Sequence, residues 1–259
     1  MVTDAQRTAR TLRLYKQMTH GSLFSGIGGF ELGAQMAGIE TIWNCETDPF
    51  CRSILKKHFP NATQYTDITK LKSPPYTDII SGGFPCQDLS IANPKGEGLE
   101  GKRSGLWKEM FRIIYETRPR YVLIENSPML LRKGIGTILF DLSQVGYDAE
   151  WHCLQARDFN LPHKRERLFI IAHSKRIGCI GNIITKEKYQ KSLHKEATRD
   201  SHLSLPIKRF NARSDYDTVR MYNGFSAELD KNRIKACGNA VIPSIARFLF
   251  ECIQEHNNT

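Results

Sequence analysis

Acidic side chains are scarce beside basic ones in this 259-residue chain. Its 27 Asp and Glu face 37 Lys and Arg, leaving a formal charge of +10. Such an excess disfavours basic partners and suggests a polyanion, without naming it. No two of the seven cysteines (45, 51, 86, 153, 179, 237 and 252) form a C-x-x-C pair. An odd, scattered set argues against a disulfide framework or a structural zinc site and for a reducing, cytoplasmic setting. No apolar run approaches the roughly 18 residues that span a membrane, and the N-terminus lacks the apolar core of a secretory signal. Internal repeats are absent too. What is present, 40% hydrophobic and 25% charged residues, suits one sizeable α/β domain with or without a small addition. A monomer with no membrane partner is expected.

The positive charge is unevenly placed. Between His173 and Arg220 eleven Lys and Arg stand against five acids, so this segment carries +6 of the +10. A solvated surface and a stripe of phosphate contacts are the two readings of such a segment. It also has few aromatics: Tyr189, Phe210 and Tyr216.

Residues 1–20 are polar and basic and read as a weakly ordered arm, with Met18 a candidate natural start. A short strand over 21–24 then meets the glycine loop Ser25-Gly26-Ile27-Gly28-Gly29, and a helix follows until Gly38. In that geometry backbone N–H groups and a helix N-terminus face a ligand. The glycine spacing is not that of a dinucleotide site. A second strand over 40–45 ends at Glu46, an acid about twenty residues past the loop, which suits a ribose hydroxyl pair. A helix over 49–58 leads to a third strand over 64–68, with Asp67 at its end.

The next strand, 78–83, runs into Ser81-Gly82-Gly83-Phe84-Pro85-Cys86-Gln87. Glycines allow close approach, Pro85 stiffens the turn, and Cys86 is presented where open α/β sheets do their chemistry, like a nucleophile. Residues 93–104 hold three glycines, a proline and mixed charge and read as a closing lid. A helix over 106–115 precedes a strand over 120–126 that ends Ile124-Glu125-Asn126. An acid at the tip of so apolar a strand is paired or functional. A helix over 139–145 follows. Strands over 149–155 and 168–172 look like an antiparallel edge pair, joined through Pro162-His163-Lys164-Arg165-Glu166-Arg167, and an apolar helix over 244–253 closes the chain.

Taken together, these blocks resemble the DNA (cytosine-5) methyltransferases over residues 21–172 and 220–253. Phe24 to Gly29 looks like the family's first motif, Gly83 to Gln87 its nucleophile motif, and Glu125-Asn126-Ser127 its Glu-Asn-Val motif except at the third position. Gln155 with 162–167 resembles the arginine-bearing motif, with His163 where many members have Gln. Arg220 to Phe225 (loosely) and Gly238-Asn239-Ala240-Val241-x-Pro243 are similar to the last two. The resemblance implies a Rossmann-like α/β sheet (21–172), a target recognition region (173–219) and a segment returning to the sheet (220–259). It implies S-adenosylmethionine held by Phe24, Gly26, Gly28, Glu46, Asp67, Ile68, Gly83, Pro85, Leu106, Asn239, Ala240 and Val241. Cys86, Glu125, Arg165 and Arg167 would be catalytic, with Gln87, Ser90, Lys102 and Arg103 on DNA. A partner restriction endonuclease is expected in the same system.

The chemistry suits those residue types. C5 of cytosine is a poor nucleophile until a thiolate adds at C6, and negative charge on the ring must then be met at N3. No metal is needed, and the sequence offers no ligand cluster. The target must leave the stack, because a stacked base cannot be reached. Ser73-Pro74-Pro75-Tyr76 spells the motif of enzymes that methylate the exocyclic N4, but it precedes its strand where that motif should end one. A silent DNA-binding relative has no chemical use for Cys86 and Glu125. A tRNA-modifying relative is the remaining alternative.

Overall fold

The computed structural model describes residues 17–85, 105–177, 182–190, 232 and 235–258. Cys86, Gln87, Ser90, the expected lid with Lys102 and Arg103, residues 220–225 and most of the basic segment lie outside them.

A seven-stranded sheet organises the described residues, in the order β3-β2-β1-β4-β5-β7-β6. Its strands are β1 (Thr19–Leu23), β2 (Glu40–Cys45), β3 (Thr63–Tyr65), β4 (Ile79–Gly82), β5 (Tyr121–Asn126), β6 (Tyr147–Gln155) and β7 (Glu166–Ser174). The first five run parallel, while β7 is antiparallel to both β5 and β6. The helices are α1 (Gly29–Met36), α2 (Pro49–His58), α3 (Gly105–Thr117), α4 (Leu130–Lys133), α5 (Ile135–Gln144) and α6 (Pro243–Asn257).

Parallel strands covered on both faces read as continuous apolar runs, and all six residues of β5 are buried. One face carries α3 and α5, through Trp107, Met110, Ile113, Ile138 and Leu142. The other carries α1 and α6, through Phe30, Ala34, Ile245, Leu249 and Phe250. From β1 the chain winds outward through β2 and β3, then returns to β4 on the other side of β1. The strand order therefore reverses between β1 and β4, and the crevice beyond their carboxyl ends is where such sheets bind ligands.

Helix boundaries follow local chemistry. Asp48 caps α2 by accepting from the N–H groups of Phe50 and Cys51, with Pro49 at the first helical position. Gly38 takes φ 75 after the end of α1. The stretch 235–257 is apolar and long enough to cross a membrane by length and composition. Within it, α6 buries Ile245, Phe248, Leu249, Phe250 and Ile253 in the second core.

Several expectations need correcting. The third strand is only Thr63–Tyr65. The Asp67 carboxylate accepts from the N–H and hydroxyl of Thr69, which turns the chain there instead of extending it. The first strand begins at Thr19, so the arm cannot run to residue 20; Met18 and His20 are already buried. The helix expected over 139–145 starts at Ile135. β7 runs through Ser174, past the boundary drawn at 172. Ile183 and Ile184 join the second core, and both their N–H groups donate to Glu150. The beginning of the basic segment is therefore rooted on the sheet domain.

Candidate active site

A cavity of about 580 Å³ opens beyond the carboxyl ends of β1, β2, β4 and β5. At one end stand Phe24, Gly26, Glu46, Asp67, Ile68 and Leu106; at the other stand Gly83, Pro85, Glu125, Arg165 and Arg167, with Asn239 also on the wall. Those elements are far apart in sequence, and the parallel sheet brings their ends to one edge.

The end beside the glycine loop is built on a sharp turn. Phe24, not a glycine, has φ 54, and Gly26 and Gly28 follow at φ 55 and 92. A side chain on Gly28 would put Cβ 2.7 Å from the Phe59 ring, so the left-handed turn tolerates only glycine there. Gly26 N–H donates to Glu46 Oε2 at 2.7 Å, and Asp48 N–H donates to Oε1 at 2.8 Å. This clamp aims one carboxylate across the loop, where its remaining lone pairs can accept from vicinal hydroxyls. Arg112 holds the Ile68 carbonyl at 2.8 Å. A nucleoside-sized ligand fits a cavity of this volume and lining.

The opposite end centres on Glu125, 8% exposed at the end of β5. Arg167 Nε lies 3.0 Å from Glu125 Oε1. Burial nevertheless outweighs the pull of Arg167 and Arg165, and holds the carboxyl above the usual carboxylate range. Gly83 lies so close that a Cβ would come 2.8 Å from Glu125 Oε2. Asn126 Nδ2 donates to the Phe84 carbonyl at 3.2 Å, and Asn126 Oδ1 accepts from Ser127 N–H at 2.8 Å. The amide following the acid thus ties down the loop that leads to residue 86.

Arg165 reaches the C-terminal segment, donating from Nη1 to the Gly238 carbonyl at 2.7 Å and the Cys237 carbonyl at 3.3 Å. Burial first, and Arg167 second, lower its pKa. Gln155 Nε2 donates to Glu166 Oε1 at 3.0 Å, closing the base of the loop that carries Arg165, with Arg167 following on β7.

Gly28, Ala240 and Val241 do not line the cavity. Gly28 caps α1 behind the wall, and the Val241 carbonyl packs on Gly29, where a Cβ would come within 2.3 Å of it. Sequence reasoning missed Cys45, Cys51, Asp48 and Lys235, which do line it. Asp48-Pro49 was readable as a helix start. Lys235, 3.2 Å from Asp48 Oδ2, comes from 187 positions away and left no local signal. The Ser73 to Tyr76 decoy lies before β4, where Trp43 Nε1 donates to the Pro75 carbonyl at 2.9 Å, and none of its residues lines the cavity.

A reversing, mainly parallel sheet with an antiparallel β7 and a glycine turn beneath a nucleoside-sized crevice is the fold of the S-adenosylmethionine-dependent methyltransferases. The model of the C-5 cytosine-specific DNA methylases matches residues 18–223, and the chain belongs to that family. It is 42% identical to the Type II methyltransferase M2.BsuMI of Bacillus subtilis, over 58% of this chain and 41% of the relative. With M.HhaI of Haemophilus parahaemolyticus it shares 30% identity, over 65% of this chain and 50% of that one. Among solved structures, one described as a DNA modification methyltransferase from an E. coli prophage superposes with a TM-score of 0.55. Its identity is 27%, over 66% of this chain and 50% of that one. The S. pombe Dnmt2 methyltransferase gives 0.54 at 19% identity, covering 67% and 53%, a likeness of fold. The chain spans about half the length of the curated relatives it matches.

Proposed function

We propose that this chain transfers a methyl group from S-adenosylmethionine to C5 of a cytosine flipped out of double-stranded DNA, through a transient bond from Cys86. The observation that carries this reading is Glu125: buried, held toward its protonated form, and sharing one cavity with the Gly26–Glu46 clamp.

Phe24, Gly26, Glu46, Asp67, Ile68, Gly83, Pro85, Leu106 and Asn239 would hold the donor, with Gly28, Ala240 and Val241 shaping the wall from behind. When bound, the donor supplies a methyl group made electrophilic by its sulfonium. The chain's own residues do the rest. Cys86 adds as thiolate to C6, which makes C5 nucleophilic. Glu125, protonated, donates to N3 as negative charge gathers on the ring. Arg167 keeps that carboxyl in place, and Arg165 and Arg167 offer positive charge toward the base and its backbone. Loss of the C5 proton to solvent, departure of Cys86 as thiolate and return of the N3 proton to Glu125 restore the ring. Gln87, Ser90, Lys102 and Arg103 would meet DNA around the extruded base, with residues 93–104 closing behind it. The basic region 173–219 would choose the sequence. A monomer in the cytoplasm, paired with a cognate restriction endonuclease, completes the proposal.

The test is mass spectrometry of digested DNA from cells expressing the chain. We expect 5-methylcytosine, lost on Cys86→Ser. N4-methylcytosine as product, methylation confined to tRNA, or an unaffected Cys86→Ser variant would overturn the reading. DNA containing 5-fluorocytosine should trap a covalent adduct, which a silent binder cannot form.

A further inference from the structure

Glu31 stands three residues past Gly28, the N-cap of α1, where an acid normally turns back to cap the helix. Here the side chain is fully buried, and neither carboxyl oxygen makes a well-aligned hydrogen bond among the described residues, although two serine hydroxyls lie near enough to favour its charged form. It faces the hydroxyls of Ser25 and Ser22. Those two are joined, Ser25 Oγ donating to Ser22 Oγ at 3.0 Å.

Ser25 is the knot of the donor loop. Its N–H donates to the Cys45 carbonyl at 3.2 Å, and its carbonyl accepts from Gly28 N–H at 3.0 Å. The next residue, Gly26, donates to Glu46. Strand β1, strand β2 and helix α1 therefore meet at one serine, with a buried acid directly against it.

A carboxylate buried here with no cation beside it is costly, so the group favours its proton. Burial pushes its pKa up to about 7; Ser25 and Ser22 oppose the rise and the Glu46 charge adds to it. The charged neighbours give no compensation. His20 on β1 is buried, bonded to Thr41 and Ser81, and held neutral with a pKa near 3. Glu46, beyond β2, is of like sign. On α6, which packs on α1, Arg247 is engaged with Glu251 at 2.7 Å. Protonated, the carboxyl can both donate to and accept from the two hydroxyls; ionised, it can only accept.

We infer that Glu31 is a positioning residue for the donor loop: with its proton in place it braces the Ser22–Ser25 pair from inside the sheet, and on losing it the Ser25–Gly26 turn loosens. The inference rests on donor binding at this cavity, as proposed above. It requires that affinity for the donor fall as pH rises through neutrality. It also requires the ligand-free fold to weaken as pH climbs from the ordinary carboxylate range to about 7, and to level off above that. A carboxyl whose folded pKa lies above its unfolded value destabilises the fold progressively as pH climbs between the two.

The experiment titrates the chain with S-adenosylhomocysteine, which lacks the sulfonium charge, by calorimetry between pH 6 and 8.5. Thermal unfolding of the ligand-free protein is followed from pH 5 to 8.5. Wild type should lose about tenfold in affinity across the range, one pKa unit of differential interaction being a factor of ten. Glu31→Gln, the same shape without the titration, should keep the pH 6 affinity throughout and flatten the pH dependence of Tm. Affinity independent of pH in wild type, or the same pH dependence in Glu31→Gln, would overturn the inference while leaving donor binding intact. Failure of wild type to bind at any pH would overturn both it and the proposed function.

Discussion

At the residue scale the proposed reaction turns mostly on a single carboxyl. Glu125 is buried enough to favour its proton, yet 3.0 Å from an arginine that favours its charge. The balance leaves the acid form available at higher pH than for an exposed glutamate, and turnover should fall as pH rises through the Glu125 pKa. Glu125→Gln keeps the shape and removes the acidic proton that can be transferred. We expect turnover to drop by about 10²–10⁴, the usual worth of a positioned acid, measured as methyl transfer at saturating donor. Gly83→Ala probes the same group from outside, since the new Cβ would lie 2.8 Å from Glu125 Oε2 and displace it. A shift near 1 Å costs roughly 10²-fold in such sites. Its melting temperature should move little, which separates misplacement from unfolding. Glu125 was legible in the sequence because an acid ends an otherwise apolar strand. The Asn126 tether to Phe84 was not, because it depends on β4 and β5 lying side by side.

Pairs of elements carry the next set of consequences. Helices α1 and α6 approach closely enough that a Cβ on Gly33 would sit 2.5 Å from Ala246 Cβ. Alanine normally gains about 1 kcal/mol over glycine inside a helix, whereas overpacking costs about 1–3 kcal/mol. We expect the clash to win, so Gly33→Ala should be less stable by about 1 kcal/mol in a denaturant titration. Glu150 on β6 makes a second junction, accepting from Ile183 and Ile184 at 3.0 and 2.7 Å. Glu150→Ala strands two backbone donors, at about 1–3 kcal/mol for each left unsatisfied. Limited proteolysis should then cut near residues 182–190 sooner than in wild type. Strand β2 and helix α2 were readable to the residue, since an apolar run, Gly38 and Asp48-Pro49 mark their limits. β3 was read too long, because the Asp67 side chain captures Thr69, a competition that hydrophobic periodicity does not register. The grip of Arg165 on the Cys237 and Gly238 carbonyls spans 72 and 73 positions, and only the finished fold reveals it.

Charge and chain order act on the molecule as a whole. With +10 in total, binding to DNA should weaken steeply with salt, log affinity falling by about 0.9 per decade of salt for each phosphate neutralised. Filter binding of non-target duplex between low and physiological salt measures that slope, and neutralising Lys102 and Arg103 together should reduce it by about 2 if both meet phosphates. The contact of the Val241 carbonyl with Gly29 has a consequence in time as well as in space. During synthesis the glycine turn leaves the ribosome long before residues 235–257 do. A nascent chain therefore carries one wall of its pocket without the opposite one, and competence arrives only when its final helix docks.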